Sequence, residues 1–333
     1  MPNSDSPNVV LSGSLAFDYI MTFPGSFGDH ILPEKAHVLS VSFLFDTLQR
    51  LRGGIAGNIA YSLALLGERP AVIGAGGADF ADYRAALEQL GVDLSHVVTV
   101  DDLLTGSSFM QSDLAGNQIA GFYPGASVRA ADLSITPLAR GARFGLVGAT
   151  TLEAMRRHAD EIADAGANLI YDPSQQCVSL SAEDLNAGID RAWMVVGSDY
   201  EFAMIERKTG RSIADIAARV PVTVVTFGAQ GSEIHADGVV TRIPIAPPQQ
   251  VIDPTGGGDA YRAGLIKGLL LGLPLDVCGR MGALSATYAI EKYGTQEHTY
   301  TPEAFLLRFD STFPESAGAV PIAALGSPAP RHD

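Results

Sequence analysis

The 333-residue sequence predicts an α/β fold, a central, mostly parallel sheet covered by helices on both faces. Three observations lead there. Short apolar, β-branched runs alternate with helical segments along most of the chain. Hydrophobic residues make up 47%, enough to cover both faces of a sheet. Gly67 and Gly91 each follow an apolar-periodic segment, where a helix would end.

The elements follow in order. Val9–Leu15 reads as the first strand, and Ile55, Ile59, Leu63 and Leu66 recur at helical spacing before Gly67. Ala71–Gly74 is a strand, and Ala81–Leu90 a helix closed by Gly91. Ser107–Ser112 and Gln118–Tyr123 flank Ala115-Gly116-Asn117, a hairpin signal. Strands are expected at Phe144–Val147, Asn168–Tyr171, Trp193–Val196 and Val222–Thr226, with helices at Leu152–Ala165 and Tyr200–Lys208. Two short strands, Ser232–His235 and Val239–Arg242, precede helices near Ala260–Leu271 and Val277–Lys292. The last helix is rich in small residues, which predicts close packing on its neighbour. The whole chain, 1–333, reads as one domain. Residues 19–52, carrying Phe23, Phe27, Phe43 and Phe45, break the α/β rhythm and with hairpin 107–123 predict a small β lid. Residues 318–333, rich in Ala, Pro and Gly, predict a flexible tail.

Charge narrows the partners. There are 22 basic and 37 acidic residues, a net charge of −15, which argues against nucleic acid and anionic membranes. No apolar run is long enough to span a bilayer, and the N-terminus lacks the basic and apolar regions of a signal peptide. Cys177 and Cys278 are far apart and suggest no disulfide framework. A cytoplasmic location is expected.

The strongest chemical signal is Asp253-Pro-Thr255-Gly256-Gly257-Gly258-Asp259, leading into an apolar helix. Consecutive glycines at a helix N-terminus expose backbone N–H groups and make an anion cradle without Lys or Arg. Asp259 at its edge is placed to take a proton from an attacking hydroxyl. On their own, these residues also suit a loop and a helix cap.

The string resembles the C-terminal signature of the ribokinase (PfkB) family, D-T-x-G-A-G-D, through Asp253, Gly256, Gly258, Asp259, Ala263 and Gly264. The resemblance implies that Asp259 is the catalytic base and that Gly256, Gly257 and Gly258 form the anion hole. It also implies that Asp253 serves a monovalent cation, K⁺, and Thr255 the nucleotide. Gly53-Gly54-Ile-Ala-Gly57-Asn58 resembles the family's Gly-Gly motif, and Gly13-Ser14-Leu-Ala-Phe-Asp18 its sugar-binding segment. Ser14, Asp18, Gly53, Gly54 and Asn58 would then contact the acceptor, with Asp18 accepting from two vicinal hydroxyls. Val225-Thr226-Phe-Gly228-Ala-Gln-Gly231 resembles the strand-turn at the ATP phosphates, implying Thr226, Gly228 and Gly231 as contacts. Ser198-Asp-Tyr-Glu201 stands where the family has Asn-x-x-Glu, a motif that organises Mg²⁺ through water; Ser198 replaces the Asn and Glu201 is retained. Gly294-Thr295-Gln296 lies where the family's adenine- and cation-facing loop would be. The resemblance runs over roughly residues 8–310, and the implied fold is ribokinase-like with a β lid.

The implied reaction is ATP-dependent phosphoryl transfer to a hydroxyl. The apolar lid, with Phe109-Met110, would offer surface to a base, and Gln118 and the polar strand end Asp172-Pro-Ser-Gln175-Gln176 would face the base or ribose. These segments look like bacterial and archaeal adenosine (nucleoside) kinases, implying AMP as product and a place in purine salvage. A sugar kinase and a silent binding protein of the same fold are the alternatives. A homodimer through the lid is a further expectation.

Overall fold

The computed structural model describes residues 7–31 and 40–326. Thirteen strands are described: β1 Val9–Ser12, β2 Ala16–Thr22, β3 Thr47–Gly53, β4 Ala71–Gly77, β5 Asp93–Val100, β6 Gly106–Ser112, β7 Gln118–Tyr123, β8 Phe144–Val147, β9 Asn168–Tyr171, β10 Met194–Ser198, β11 Val222–Thr226, β12 Ser232–Ala236 and β13 Val239–Ile243. The helices are α1 Ile55–Leu65, α2 Ala81–Gln89, α3 Thr136–Ala139, α4 Leu152–Asp164, α5 Ala182–Arg191, α6 Asp199–Thr209, α7 Ile213–Ala217, α8 Gly257–Leu270, α9 Leu275–Ile290 and α10 Pro302–Thr312.

Nine strands form one sheet in the order β13-β12-β11-β10-β9-β8-β1-β4-β5. It is parallel from β5 to β11, with β12 and β13 antiparallel at one edge. Side-chain alternation splits β1 between two cores. Val9 and Leu11 join the face packed by α1, α8 and α9; Val10 joins the face packed by α4, α5 and α6. Strand order reverses at β1, the switch point of such sheets, so a crevice opens at the carboxyl ends of the strands.

Close packing of α8 on α9 is as expected. A Cβ at Gly264 would strike the Met281 carbonyl, and one at Gly282 the Tyr261 carbonyl at 2.8 Å. The second sheet, β3-β2-β6-β7, is the lid, and it begins at Ala16, earlier than expected. Both cysteines are buried free thiols. No helix among the described residues is long and apolar enough to cross a membrane.

Three expectations need correction. Segment 318–326 is docked: Val320 and Leu325 are buried in the main core, and Leu325 packs against Gly67. Residues 327–333 lie outside the described residues. The lid aromatics Phe23, Phe27, Phe43 and Phe45 pack on one another, with centroids 4.7 Å apart for Phe27 and Phe43 and 5.1 Å for Phe23 and Phe43. They build a small core for the lid, because a four-stranded sheet standing off the main body needs apolar burial of its own. Phe109 stacks on Tyr19 at 5.0 Å, on the sheet face opposite Asp18. Leu32, Val38 and Leu39 of the same apolar stretch lie outside the described residues.

Candidate active site

The crevice beneath the lid has a volume of about 590 Å³. Its walls come from the ends of β1, β9, β10 and β11, from the lid, and from the start of α8. Ser14, Asp18, Gly54, Asn58, Ser198, Glu201, Thr226, Gly228, Thr255, Gly256, Gly258 and Asp259 all line it. These residues span most of the chain, and folding gathers them around one space.

Asp259 sits in the first turn of α8. Gly256, the residue before the helix, has φ 78°, a left-handed conformation that lets the chain swing directly from loop into helix. Asn58 on α1 donates from Nδ2 to Asp259 Oδ2 at 2.8 Å. The Asn58 Oδ1 accepts from Thr295 Oγ1 at 2.8 Å and Gln296 Nε2 at 3.0 Å. Asn58 therefore orients Asp259 in addition to facing the crevice. Burial pushes the Asp259 carboxyl up to about 6, while the Arg262 guanidinium and the Asn58 hydrogen bond pull the other way.

Asp18 lies in the lid wall, and its carboxylate accepts no hydrogen bond from the described residues. Burial, with the nearby charge of Asp253, pushes it up to about 6. Gly53 lies outside the crevice lining; a side chain there would strike the Asp18 carboxylate, so its bareness makes room for Asp18. Gly54 has φ 88°, and a Cβ would meet the Ser14 carbonyl oxygen at 2.6 Å. Ser14 Oγ accepts from the Ile55 N–H at 3.0 Å and so ties the lid base to α1.

Ser198 and Glu201 form a reciprocal cap on α6. Glu201 N–H donates to Ser198 Oγ at 3.2 Å, and Ser198 N–H to Glu201 Oε2 at 2.7 Å. The pair thus has a structural task as well as a place in the crevice wall. Asp253 accepts from Thr255 N–H at 2.9 Å and Gly294 N–H at 3.1 Å, pinning the glycine loop to the segment after α9.

A second, apolar cavity of about 360 Å³ adjoins the first, lined by residues such as Ile245, Val251, Tyr261, Ala283 and Ile290. Gly231 and Gly257 face this cavity, not the crevice. The Gly257 N–H turns back to the Pro254 carbonyl at 3.3 Å, so of the three glycines only Gly256 and Gly258 line the crevice. Thr226, Gly228 and Gly258 border both spaces.

Two expected contacts are placed elsewhere. Asp172 is fully buried at the end of β9 and pairs with Arg262, whose Nη2 donates to Oδ1 at 2.8 Å. The chain then turns at Ser174, φ 45°, and it is Ser174 and Gln175 that line the crevice. Gln118 is exposed at the far end of the lid, opposite Ser112; from β7 it is Phe122 that reaches the crevice. Arg262 escaped the sequence reading, although it stands one helical turn after Asp259 and so on the same face of α8.

The profile of the pfkB family carbohydrate kinases matches residues 23–302. The chain belongs to this family. A nucleoside kinase of Methanothermobacter thermautotrophicus is 31% identical over 297 residues, covering 88% of this chain and 92% of that protein. The structure of a Burkholderia thailandensis nucleoside kinase in complex with inosine superposes with a TM-score of 0.84 at 34% identity, covering 92% of this chain and 98% of the other. The complex of that kinase with ADP-inosine superposes with a TM-score of 0.81 at 35% identity, covering 92% and 96%. This pfkB-family kinase therefore has a ribokinase-like fold, with the crevice of Asp18 and Asp259 between sheet and lid.

Proposed function

We propose that this pfkB-family kinase transfers the γ-phosphoryl group of ATP to the 5′-hydroxyl of a nucleoside, with adenosine as the preferred acceptor and AMP as product. The observation that carries the reading is the placement of Asp259. It stands at a helix N-terminus in a crevice whose other wall holds the unengaged Asp18 carboxylate. Asp18 and Gly54 would hold the ribose hydroxyls. Asp259 would take the proton from the 5′-hydroxyl as its oxygen bonds to the γ-phosphorus. The bond from that phosphorus to the β–γ bridging oxygen breaks, and ADP leaves with the electron pair. The N-terminus of α8, with the Gly258 backbone, would stabilise the charge that develops. The apolar cavity suits the adenine of ATP, and the phosphates would pass Thr226 and Gly228 to reach Gly258.

Among the described residues, no group of three or more His, Cys, Asp or Glu side chains gathers to hold a metal. Mg²⁺ would instead be held by phosphate oxygens and water beside Glu201, the common arrangement for this ion. It would neutralise charge on the donor phosphates. Each Asp253 oxygen accepts one N–H and keeps a lone pair, so the Asp253–Gly294 seam fits a K⁺ ion.

A nucleoside is favoured over a free sugar because the crevice continues past Ser14, Ser108, Phe122 and Gln175 into a groove of about 590 Å³ that also meets Thr150 and Gln176. A planar base needs an aromatic face and amide partners, and Phe122, Gln175 and Gln176 offer them. The test is ADP release from ATP with Mg²⁺ and K⁺ against adenosine, inosine, guanosine, cytidine, ribose and fructose. Adenosine is expected to dominate. Another nucleoside ahead of adenosine would revise the base groove, and a free sugar ahead of all would overturn the nucleoside reading.

Both carboxylates must be ionised to work. With each pushed up to about 6, kcat/KM is expected to fall as pH drops through 6 and to level off above 7. Two such groups give a limb steeper than one proton. A profile flat down to pH 5 would contradict the base assignment.

A further inference from the structure

Arg262 is the one cation among the described residues that line the crevice, facing the carboxylates of Asp18, Asp199, Glu201 and Asp259. Its side chain is nearly enclosed, 7% exposed, yet it borders the crevice. It comes from α8, one turn after Asp259. A Cβ built on Gly258 would meet its Nη1 at 2.7 Å, so the guanidinium packs on the glycine where the crevice meets the apolar cavity. Asp172, just after β9, is fully buried and holds the other edge of the guanidinium through a hydrogen bond from Nη2 and an ion-pair contact at Nε. Glu201 Oε2 is 4.0 Å from Nη2.

That arrangement is poorly explained by stability. A buried ion pair contributes little over apolar packing, because desolvating two charges costs about as much as their attraction returns. Burial works against the Arg262 charge, but Asp172, Asp259 and Glu201 outweigh it and hold the guanidinium above its ordinary range. The result is a permanent cation, fixed in orientation, at the junction of the two spaces. Beside four carboxylates, such a group would offset the charge of an entering polyphosphate. A planar guanidinium also matches the phosphoryl oxygens on which transition-state charge spreads.

We propose that Arg262 is a catalytic residue whose Nη1 edge bonds the γ-phosphoryl oxygens during transfer, and that Asp172 is the positioning residue that holds it there. The inference rests on the kinase reading above. Arg262 takes no proton in the step: the hydroxyl proton goes to Asp259, and the new P–O bond replaces the one to ADP. The guanidinium stabilises the three peripheral oxygens while that exchange occurs.

The test uses the full chain in four forms: wild type, Arg262→Gln, Asp172→Asn, and the double variant. Each is followed by steady-state kinetics with adenosine and ATP and by thermal melting. Arg262→Gln leaves Asp172 buried without its counter-ion, so Tm should fall. Pairing Gln with Asn removes both charges, so the double variant should recover Tm. Its kcat should nevertheless stay about 10²–10³-fold down, the scale for a lost transition-state donor, with KM for adenosine changed only a few-fold. Asp172→Asn alone should keep part of the activity, because the guanidinium remains. A double variant with wild-type kcat would overturn the proposal and leave the kinase reading standing. A wild type that phosphorylates no acceptor in the panel would overturn both.

Discussion

Asp259→Asn is expected to lower kcat by roughly 10²-fold or more, the scale of a lost general base, while the protein folds normally. The amide is close in shape, and its oxygen can still accept the Asn58 Nδ2 hydrogen bond. What it cannot do is take the hydroxyl proton. Stability should move the other way. The carboxyl is pushed from 3.8 up to about 6 by burial, so holding it ionised near pH 7 costs folding free energy. Removing that charge should leave Tm at pH 7 equal to or above wild type. The advantage should fade as pH falls through 6 towards 4, where the native carboxyl is protonated and its cost disappears. Steady-state rates and melting curves for the two proteins check both parts. Near-normal turnover would remove Asp259 from the role of base.

Asp18→Ala should act on binding. Its carboxylate faces the crevice without a partner among the described residues, so its hydrogen-bonding capacity is available to the acceptor. Hydrogen bonds to a charged group contribute about 1.5–3 kcal/mol each, so losing such contacts should raise KM for the acceptor by about 10- to 100-fold or more. KM for ATP should change little. The variant should melt no lower, since a carboxyl pushed up to about 6 by burial is also costly when ionised. An unchanged acceptor KM would move the ribose away from Asp18.

The strands of the central sheet were legible because a strand buried on both faces is a short, continuous apolar run. Phe144–Val147, Asn168–Tyr171 and Val222–Thr226 lie where the sequence places them. Strand Asp93–Val100 was missed: it is an edge strand whose Asp93, Ser95 and His96 break that pattern. Helix Ala182–Arg191 was missed because Asn186 and Gly188 weaken its propensity; a reciprocal Ser181–Asp184 cap starts it. Pro302–Thr312 is set by packing, with Phe305 and Phe309 buried in the core.

By itself, the sequence determined the α/β class, the loop before α8 with Asp259 at the helix start, and the likeness that identifies the family. These features depend on neighbouring residues: glycine conformations, helix ends and short-period hydrophobicity. Only the tertiary structure decided which distant groups meet. It put Asp172 against Arg262 instead of the acceptor, and Phe122 in the crevice while Phe23, Phe27, Phe43 and Phe45 cover one another. Residue type cannot assign such partners. An aromatic ring is buried equally well in a lid core or against a base, and a carboxylate is satisfied by a hydroxyl or by an arginine 90 positions away. The choice falls to strand order and chain reversal, which bring those groups within contact distance.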